Sequence, residues 1–567
     1  MFLGPVAFTG YIMRIMRHSL RFCWVVLASV VQLAGCAPSG PARFQLGRDV
    51  ERPSRNVVVF VADGMDVHVL REMLDAGLLP NIRRTFVEGG VQVGHAISSL
   101  PSVTYPNNAS IITGRFPGHH GIMGNFWFER SRLLSNYYMT IPTAWTVNQH
   151  IDAPTLYDIL SDRLTVSVLA QSHKGATVSL DLQDVFTWGW AFGNYTAVDR
   201  QVAESITSVF DIARRVGQWP TILHTYYPGV DETGHRWGPD SPEYAAALEN
   251  IDQAVGLITG AIATAGLTQS TYFVLLADHG MAPIRPGQDF DFIRWLRKHR
   301  RLRVRTTPLN EVAFADRFET LQDDDAVASV DAGRVAMIHL RGQRGWLHRP
   351  EPPEVITWAR LDPALHDVPA VGLVAARGDD DTVRAWSRQG SLTVQRRIRN
   401  SRKEYRIIEY EGDPLGYLQS PELAAFIRAG WHESREWLAA TAASPHPDFV
   451  PQVVEMFDSP RTGDLVVFAA DGWLLYPGEK AGHGSTLYRD MHLPMFFAGP
   501  DLPAGGEIPL ARLVDYAPTV LGLLGETHRL ESFPPIDGMD LSEQLRNARV
   551  PESPRHRPTP PRPIPAP

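Results

Sequence analysis

The sequence predicts an α/β fold: a central, mostly parallel sheet with helices on both faces, carrying an α+β insertion. Two continuous apolar runs, Asn56 to Ala62 and Tyr272 to Ala277, read as strands buried on both faces. Each ends in a polar turn, Asp63-Gly64 in the first and Asp278-His279-Gly280 in the second. Between them Tyr244, Leu248, Ile251, Val255 and Ile258 recur at helical spacing on one face. Strands alternating with helices in this way build parallel sheets.

The elements follow in order. Arg14, Arg17 and Arg21 precede the apolar run Phe22 to Leu33, which is short for a bilayer span and has the layout of a secretory signal. The run closes in Leu33-Ala34-Gly35-Cys36, which resembles a bacterial lipobox. Residues 1–36 are therefore expected to be a lipoprotein signal peptide, with Cys36 carrying the lipid. Residues 37–53 open in Ala37-Pro38-Ser39-Gly40-Pro41 and read as a flexible tether. The expected location is the bacterial cell envelope, lipid-anchored to a membrane on its periplasmic or extracellular face.

Residues 54–283 read as the first part of a catalytic core, with Asp66 to Ala76 helical and Ser241-Pro242 opening the long helix. From 284 to 445 the pattern changes. Basic residues crowd Arg294 to Arg305, and alternating segments such as Val335 to Leu340 and Val371 to Ala376 follow. This is the α+β insertion, and its basic run reads as a solvated helix face. Residues 446–545 return to the core, with strand candidates at Leu465 to Ala470 and Met495 to Ala498. Residues 546–567 end in a Pro-rich tail expected to be disordered.

A chain of 567 residues has room for one large core with insertions. Its 44% hydrophobic and 20% charged residues are those of a folded globular protein. The net charge of −8, with basic residues at both ends, argues against a broad surface for a nucleic-acid polymer. The two cysteines, Cys23 and Cys36, both lie in the N-terminal segment, so the folded part has neither a disulfide nor a cysteine metal site.

Carboxylates and histidines recur at strand ends and in Gly-rich turns: Asp63, Asp231, His235, Asp278, His279 and His483. Open α/β sheets bind ligands beyond the carboxyl ends of their strands. Asp and His are good ligands for zinc and similar ions. Asp231 and His235 are four apart, so one helical turn aims both the same way. Six such residues make two sites of three, the arrangement a two-metal hydrolase needs. Singly, each is weak, because an Asp-Gly after a strand is usually a turn. Asp471-Gly472 imitates Asp63-Gly64 and is read as a turn, and His119 and His120 are read as structural hydrogen-bonders.

Thr104 precedes Tyr105-Pro106-Asn107, and the segment from there through Thr113 can be a helix. A hydroxyl at a helix N-terminus beside a dication is placed to act as a nucleophile, and the helix amides can receive an anion. Standing alone, the same residue would be an ordinary Thr near a helix cap.

Taken in order, VADGM, SVTYPN, DETGHRWGP, ADHGM and GHGS resemble the type I phosphodiesterase/nucleotide pyrophosphatase family of the alkaline phosphatase superfamily. The resemblance covers roughly residues 55 to 283 and 445 to 545, and DMHLPMFFAGP and LVDYAPTVLGLLG agree with it. It implies an alkaline-phosphatase-like sheet. It implies two divalent metal ions, Zn2+ or else Mn2+, one held by Asp63, Thr104, Asp278 and His279 and the other by Asp231, His235 and His483. Thr104 would be the nucleophile, and Asn125 would hydrogen-bond a phosphoryl oxygen. Asn108 departs from the pattern, since many relatives have His there.

The implied activity is metal-dependent hydrolysis of a phosphodiester or pyrophosphate bond in a small or nucleotide-type substrate, through a phosphothreonine intermediate. Two alternatives stand beside it. A phosphomonoesterase of the same superfamily would share the metals and differ only in the outer pocket. A non-catalytic envelope lipoprotein on this fold would be expected to have lost ligands, whereas every motif position is filled. A sulfatase would need a C/S-x-P-x-R signature, which VTYPN lacks.

Overall fold

The structure, a computed structural model, describes residues 54–140, 143–182, 189, 193–309, 312–379 and 381–551. The expected signal, lipidation at Cys36 and most of the tether, together with the tail beyond 551, lie outside the described residues. Among the described residues, no helix is long and apolar enough to cross a membrane.

Two nine-stranded sheets organise the chain. In the first, Thr271–Leu276, Asn56–Ala62, Ile222–Tyr227, Thr165–Val168 and Val178–Leu180 lie side by side, all parallel. Met495–Ala498 joins the other side of Thr271–Leu276 antiparallel, and Gly90–Ile97 follows it. Gly90–Ile97 also pairs with Gly506–Arg512 and His492–Leu493. Asn56–Ala62 and Ile222–Tyr227 are buried along their whole length, which is why their residues carry no alternation. Helices close both faces into one core.

The helices form where the sequence places them. Asp66 caps Val67–Asp75 through Oδ1, which accepts the His68 and Val69 amides. Ser241 caps Pro242–Thr264, and Tyr244, Leu248, Ile251, Val255 and Ile258 all face the core. The basic run begins in the helix Phe292–His299, which buries Phe292 and Leu296 and leaves Arg297 and Lys298 in solvent.

The second sheet is antiparallel except at one edge. Its order is Val304–Arg305, Ala326–Asp331, Val335–Leu340, Leu465–Ala469, Val371–Arg377, Thr382–Ser387, Gly390–Arg399, Arg402–Gly412 and His432–Glu433. Leu465–Ala469, read in the sequence with the second core segment, lies at the centre of this second sheet, between Val335–Leu340 and Val371–Arg377. A continuous apolar run says that a strand is buried on both faces; it carries no information about which sheet completes it. One face of this sheet packs Val335, Met337 and Leu373 in one cluster with Ile97 of the first sheet and with Leu100, Val103 and Met123, which flank the helix Thr104–Thr113. The inserted sheet is therefore in contact with the segments on either side of Thr104.

Candidate active site

Three neighbouring parallel strands, Thr271–Leu276, Asn56–Ala62 and Ile222–Tyr227, deliver their carboxyl ends to one place. Asp63 leaves the middle strand. Asp278 and His279 follow Thr271–Leu276, and Asp231 and His235 follow Ile222–Tyr227 on the helix Gly229–Trp237. His483 comes from far along the chain, just after Ala481–Gly482. Gly64 has φ +64 and a Cβ there would lie 2.7 Å from Asp231 Oδ1, so the turn after Asp63 needs glycine for both its backbone and its neighbour.

The expected ligands assemble into two groups, Asp63 with Asp278 and His279, and Asp231 with His235 and His483. His279 Nε2 lies 3.1 Å from Asp63 Oδ1 and 3.5 Å from Asp278 Oδ2. His235 Nε2 is 3.5 Å from Asp231 Oδ2, and His483 Nε2 is 3.4 Å from Asp231 Oδ1. Thr104 is the first residue of the helix Thr104–Thr113, and its Oγ1 lies 3.2 Å from His279 Nε2. Asn125 stands at the same helix end, with Oδ1 accepting the Tyr105 amide at 3.4 Å. Pro106 has no N–H, so the first turn offers only the Thr104 and Tyr105 amides before the helical bonds begin.

The donor set fits two dications. Each histidine donates Nδ1–H away from the centre: His279 to the Gly280 carbonyl (3.0 Å), His483 to the Ser102 carbonyl (2.8 Å) and His235 to Glu479 Oε2 (2.7 Å). That fixes the tautomer with Nε2 facing the carboxylates, the orientation of ligating histidines. Asp63 Oδ1 and Asp231 Oδ1 are buried and accept no hydrogen bond. Burial and the neighbouring Asp63 push the Asp231 carboxyl up to about 8 and hold Asp278 well above the ordinary carboxylate range. Burial and the adjacent His279 and His235 drive His483 well below its usual value. Burial opposes charge on His235, but Glu479 and Asp231 together hold it well above its ordinary value. Asp63, Asp231 and Asp278 stand close together with His235 beside them held toward its charged form, and divalent ions would supply further positive charge.

Other partners were not legible as site residues. The Tyr226 hydroxyl donates to Asp63 Oδ2. Asn108 Nδ2 donates to Asp278 Oδ2 at 3.0 Å and to the Thr104 carbonyl at 3.0 Å, so the residue that departs from the family pattern ties the nucleophile's helix to a ligand. Glu479 is four residues before His483, with no motif to mark it. The decoys separate cleanly. Asp471 is exposed and paired with Arg285. His120 is buried against Ser110 Oγ at 3.0 Å. His119 sits among Glu455, Asp458 and Asp537, a third group with the right donor types. There Arg396 and Lys403 already neutralise Glu455, and Arg396 also pairs with Asp458, so the cluster is balanced without an ion.

A cleft opens beside Asp63, Thr104 and Asp231, walled by Tyr105, Tyr138 and Tyr195.

A family model of type I phosphodiesterases/nucleotide pyrophosphatases matches residues 57–490. Among curated proteins, the chain is 28% identical over 233 residues to an uncharacterized pyrophosphatase/phosphodiesterase of Schizosaccharomyces pombe, covering 40% of this chain and 45% of that one. It is 26% identical over 237 residues to ectonucleotide pyrophosphatase/phosphodiesterase family member 3 of Rattus norvegicus, covering 40% and 25%. It is 26% identical over 261 residues to the venom phosphodiesterase of Macrovipera lebetinus, covering 44% and 28%. The chain thus spans less than half the length of these relatives. Among solved structures, the murine ectonucleotide pyrophosphatase/phosphodiesterase 5, inactive and in complex with AMP, shares the fold with a TM-score of 0.53 at 15% identity, over 87% of this chain and 99% of that one. With the family model running from the first strand of the parallel sheet to beyond His483, the chain belongs to the type I phosphodiesterase/nucleotide pyrophosphatase family.

Proposed function

We propose that this protein hydrolyses phosphodiester or pyrophosphate bonds in two steps through a covalent phosphothreonine at Thr104. The observation that carries the reading is the position of Thr104: its hydroxyl lies at a helix N-terminus, 3.2 Å from a histidine of one ligand group. Asp63, Asp278 and His279 with Thr104 would hold one dication, and Asp231, His235 and His483 the other. The bound ions would supply Lewis acidity, lowering the pKa of hydroxyl and water and offsetting charge on the transferring phosphoryl group.

The chain's own residues do the rest. The substrate phosphorus sits in line with Thr104 Oγ1, which attacks; the bond from phosphorus to the leaving oxygen breaks, and the proton lost by the Thr104 hydroxyl ends on that oxygen. The Thr104 amide and the Asn125 amide group donate to the non-bridging oxygens, where charge gathers in the transition state. Asn125 Oδ1 is engaged by the Tyr105 amide, which leaves its Nδ2 to face the phosphoryl group. Tyr226 and Asn108 hold Asp63 and Asp278 in place through both steps. Water then attacks the phosphothreonine from the opposite side and restores the hydroxyl.

A neutral amide matches the single charge of a diester better than the double charge of a monoester, so diesters or pyrophosphates are the expected substrates. A panel of p-nitrophenyl substrates on the metal-loaded protein tests this: a monoester, a diester, a nucleotide ester and a sulfate. Equal or higher kcat/KM on the monoester would reverse the assignment. The mature protein is also proposed to be lipid-anchored through Cys36 in a bacterial envelope, on the strength of LAGC after a basic and apolar leader. Cys36→Ser should change the mass and membrane fractionation, and identical behaviour would refute the anchor.

A further inference from the structure

The inserted sheet reaches the reaction centre at one turn. Ala326–Asp331 and Val335–Leu340 pair antiparallel, and the turn between them, Asp331 to Arg334, lies against two parts of the site. The Ala332 carbonyl accepts the His483 amide at 3.0 Å, and Gly333 pairs with His483 as an isolated bridge. Arg334 is fully buried and bidentate to Asp490, whose Oδ1 also accepts the Ser485 amide at 3.0 Å. One arm of the turn therefore supports His483 through the backbone alone.

The other arm meets Asn125. Asp331 is 5% exposed; burial pushes its carboxyl up to about 7, and the backbone N–H groups of Asn125 and Phe126 beside it act in the opposite direction. The approach is close enough that a Cβ on Gly124 would lie 2.3 Å from Asp331 Oδ2. Among the described residues Asp331 forms no salt bridge, so these amides are its stabilising partners. A buried carboxylate without a cation is costly, and the backbone that carries Asn125 offsets part of that cost. The same backbone continues into the hairpin Phe126–Glu129 and Leu134–Tyr137, which packs beside Ala326–Asp331. Asn125 is thus held from two sides: its side chain by the Tyr105 amide, its main chain by Asp331.

We infer that Asp331 is a positioning residue for phosphoryl binding: from the inserted sheet it fixes the main chain at Asn125, so that the Asn125 amide meets the non-bridging oxygens. The inference rests on the role proposed for Asn125. It gives the insertion a function in the reaction that the ligand set does not reveal, since no residue of 284–445 belongs to either ligand group. Misplacement of a binding group by a fraction of an ångström weakens phosphoryl stabilisation without touching the metals.

The test compares Asp331→Ala, Asp331→Asn, Asn125→Ala and the Asp331→Ala/Asn125→Ala double variant with wild type. Each is assayed for metal content, thermal midpoint, diester kcat/KM and calorimetric affinity for inorganic phosphate. Asp331→Ala should lower kcat/KM and phosphate affinity by about tenfold, with metal content unchanged. Asp331→Asn keeps an acceptor oxygen for an amide and should recover to within about threefold of wild type. In the Asn125→Ala background the further loss from Asp331→Ala should fall below about twofold, because the group being positioned is gone. An undiminished loss in that background overturns the inference, as does a wild-type-like Asp331→Ala. Failure of Asp331→Asn to recover, where it folds as wild type does, overturns it as well. If Asp331→Ala fails to fold, Asp331→Leu, close in shape to aspartate and without an acceptor, takes its place in both backgrounds. Phosphate affinity reads the coupling whichever ester proves to be the substrate, so a failed diester assignment is distinguishable from a failed role for Asp331.

Discussion

Thr104 Oγ1 lies 3.2 Å from His279 Nε2, although 175 residues separate them in the chain. The contact joins the N-terminus of a fully buried helix to the turn after a parallel strand. It places a hydroxyl inside a group of ligating type that also contains Asp63 and Asp278.

From that contact, Thr104→Ala should lower turnover by about a hundredfold or more, corresponding to roughly 3 kcal/mol of lost transition-state stabilisation. Thr104→Ser keeps the oxygen and should retain measurable activity. Turnover at matched metal content, with mass spectrometry of acid-quenched enzyme, is the measurement. A phosphate adduct on Ser102, or an Ala variant as fast as wild type, would overturn the assignment.

The two ligand groups should lose their ions separately. His483→Ala is expected to leave about one metal equivalent in place of two, as is Asp278→Ala, each with activity down by at least about a hundredfold. Chelation of wild type should abolish activity and lower the thermal midpoint, because ions bound only by the native state stabilise it. Elemental analysis and differential scanning calorimetry check both, and a metal-free wild type with full activity would refute them.

Asp63 and Asp471 follow similar strand ends and should respond oppositely. Asp63→Asn is expected to remove most activity. Asp471→Asn should change stability by less than about 0.5 kcal/mol, since its pairing with Arg285 is a solvent-exposed one. Denaturant melts and diester kinetics on the pair would show whether the distinction holds.

His119 gives a pH signature away from the reaction centre. Burial disfavours its charge, but the hydrogen bonds it donates to Asp458, Asp537 and Glu455 raise it from 6.5 to about 11. A raised folded pKa contributes stability that is complete below about 6.5 and is lost as pH climbs through 11. Wild type should therefore melt above His119→Gln at pH 7, and the difference should shrink steadily toward pH 11. A gap that widens with pH would show that His119 is neutral in the native protein.

Much of the site was legible in the sequence because its chemistry is local. Asp63, Asp278 and His279 end apolar runs, and Asp231 and His235 share one helical turn, so residue type and spacing already say where their side chains go. The family resemblance added the partition into two groups, and the same partition appears in the distances. The parallel core was legible for a similar reason, since strands buried on both faces cannot alternate.

Relations between distant segments arise from the folded arrangement alone. Nothing in Leu465–Ala469 marks it as the centre of the second sheet, because pairing partners are chosen by shape and register rather than by composition. Nothing in Glu479, Tyr226 or Asn108 marks them as partners of His235, Asp63 and Asp278, since a hydrogen bond across the fold leaves no periodicity behind. Asp331 is the clearest case: in sequence it is one acid in a run that also holds Asp323, Asp324 and Asp325. Folding buries it against the Asn125 main chain while Asp323 stays in solvent. The sequence determined which chemistry the protein carries, through side chains with a short-range pattern. The tertiary structure determined which groups hold that chemistry in place, because burial and geometry, not residue type, make a carboxylate or an amide a partner.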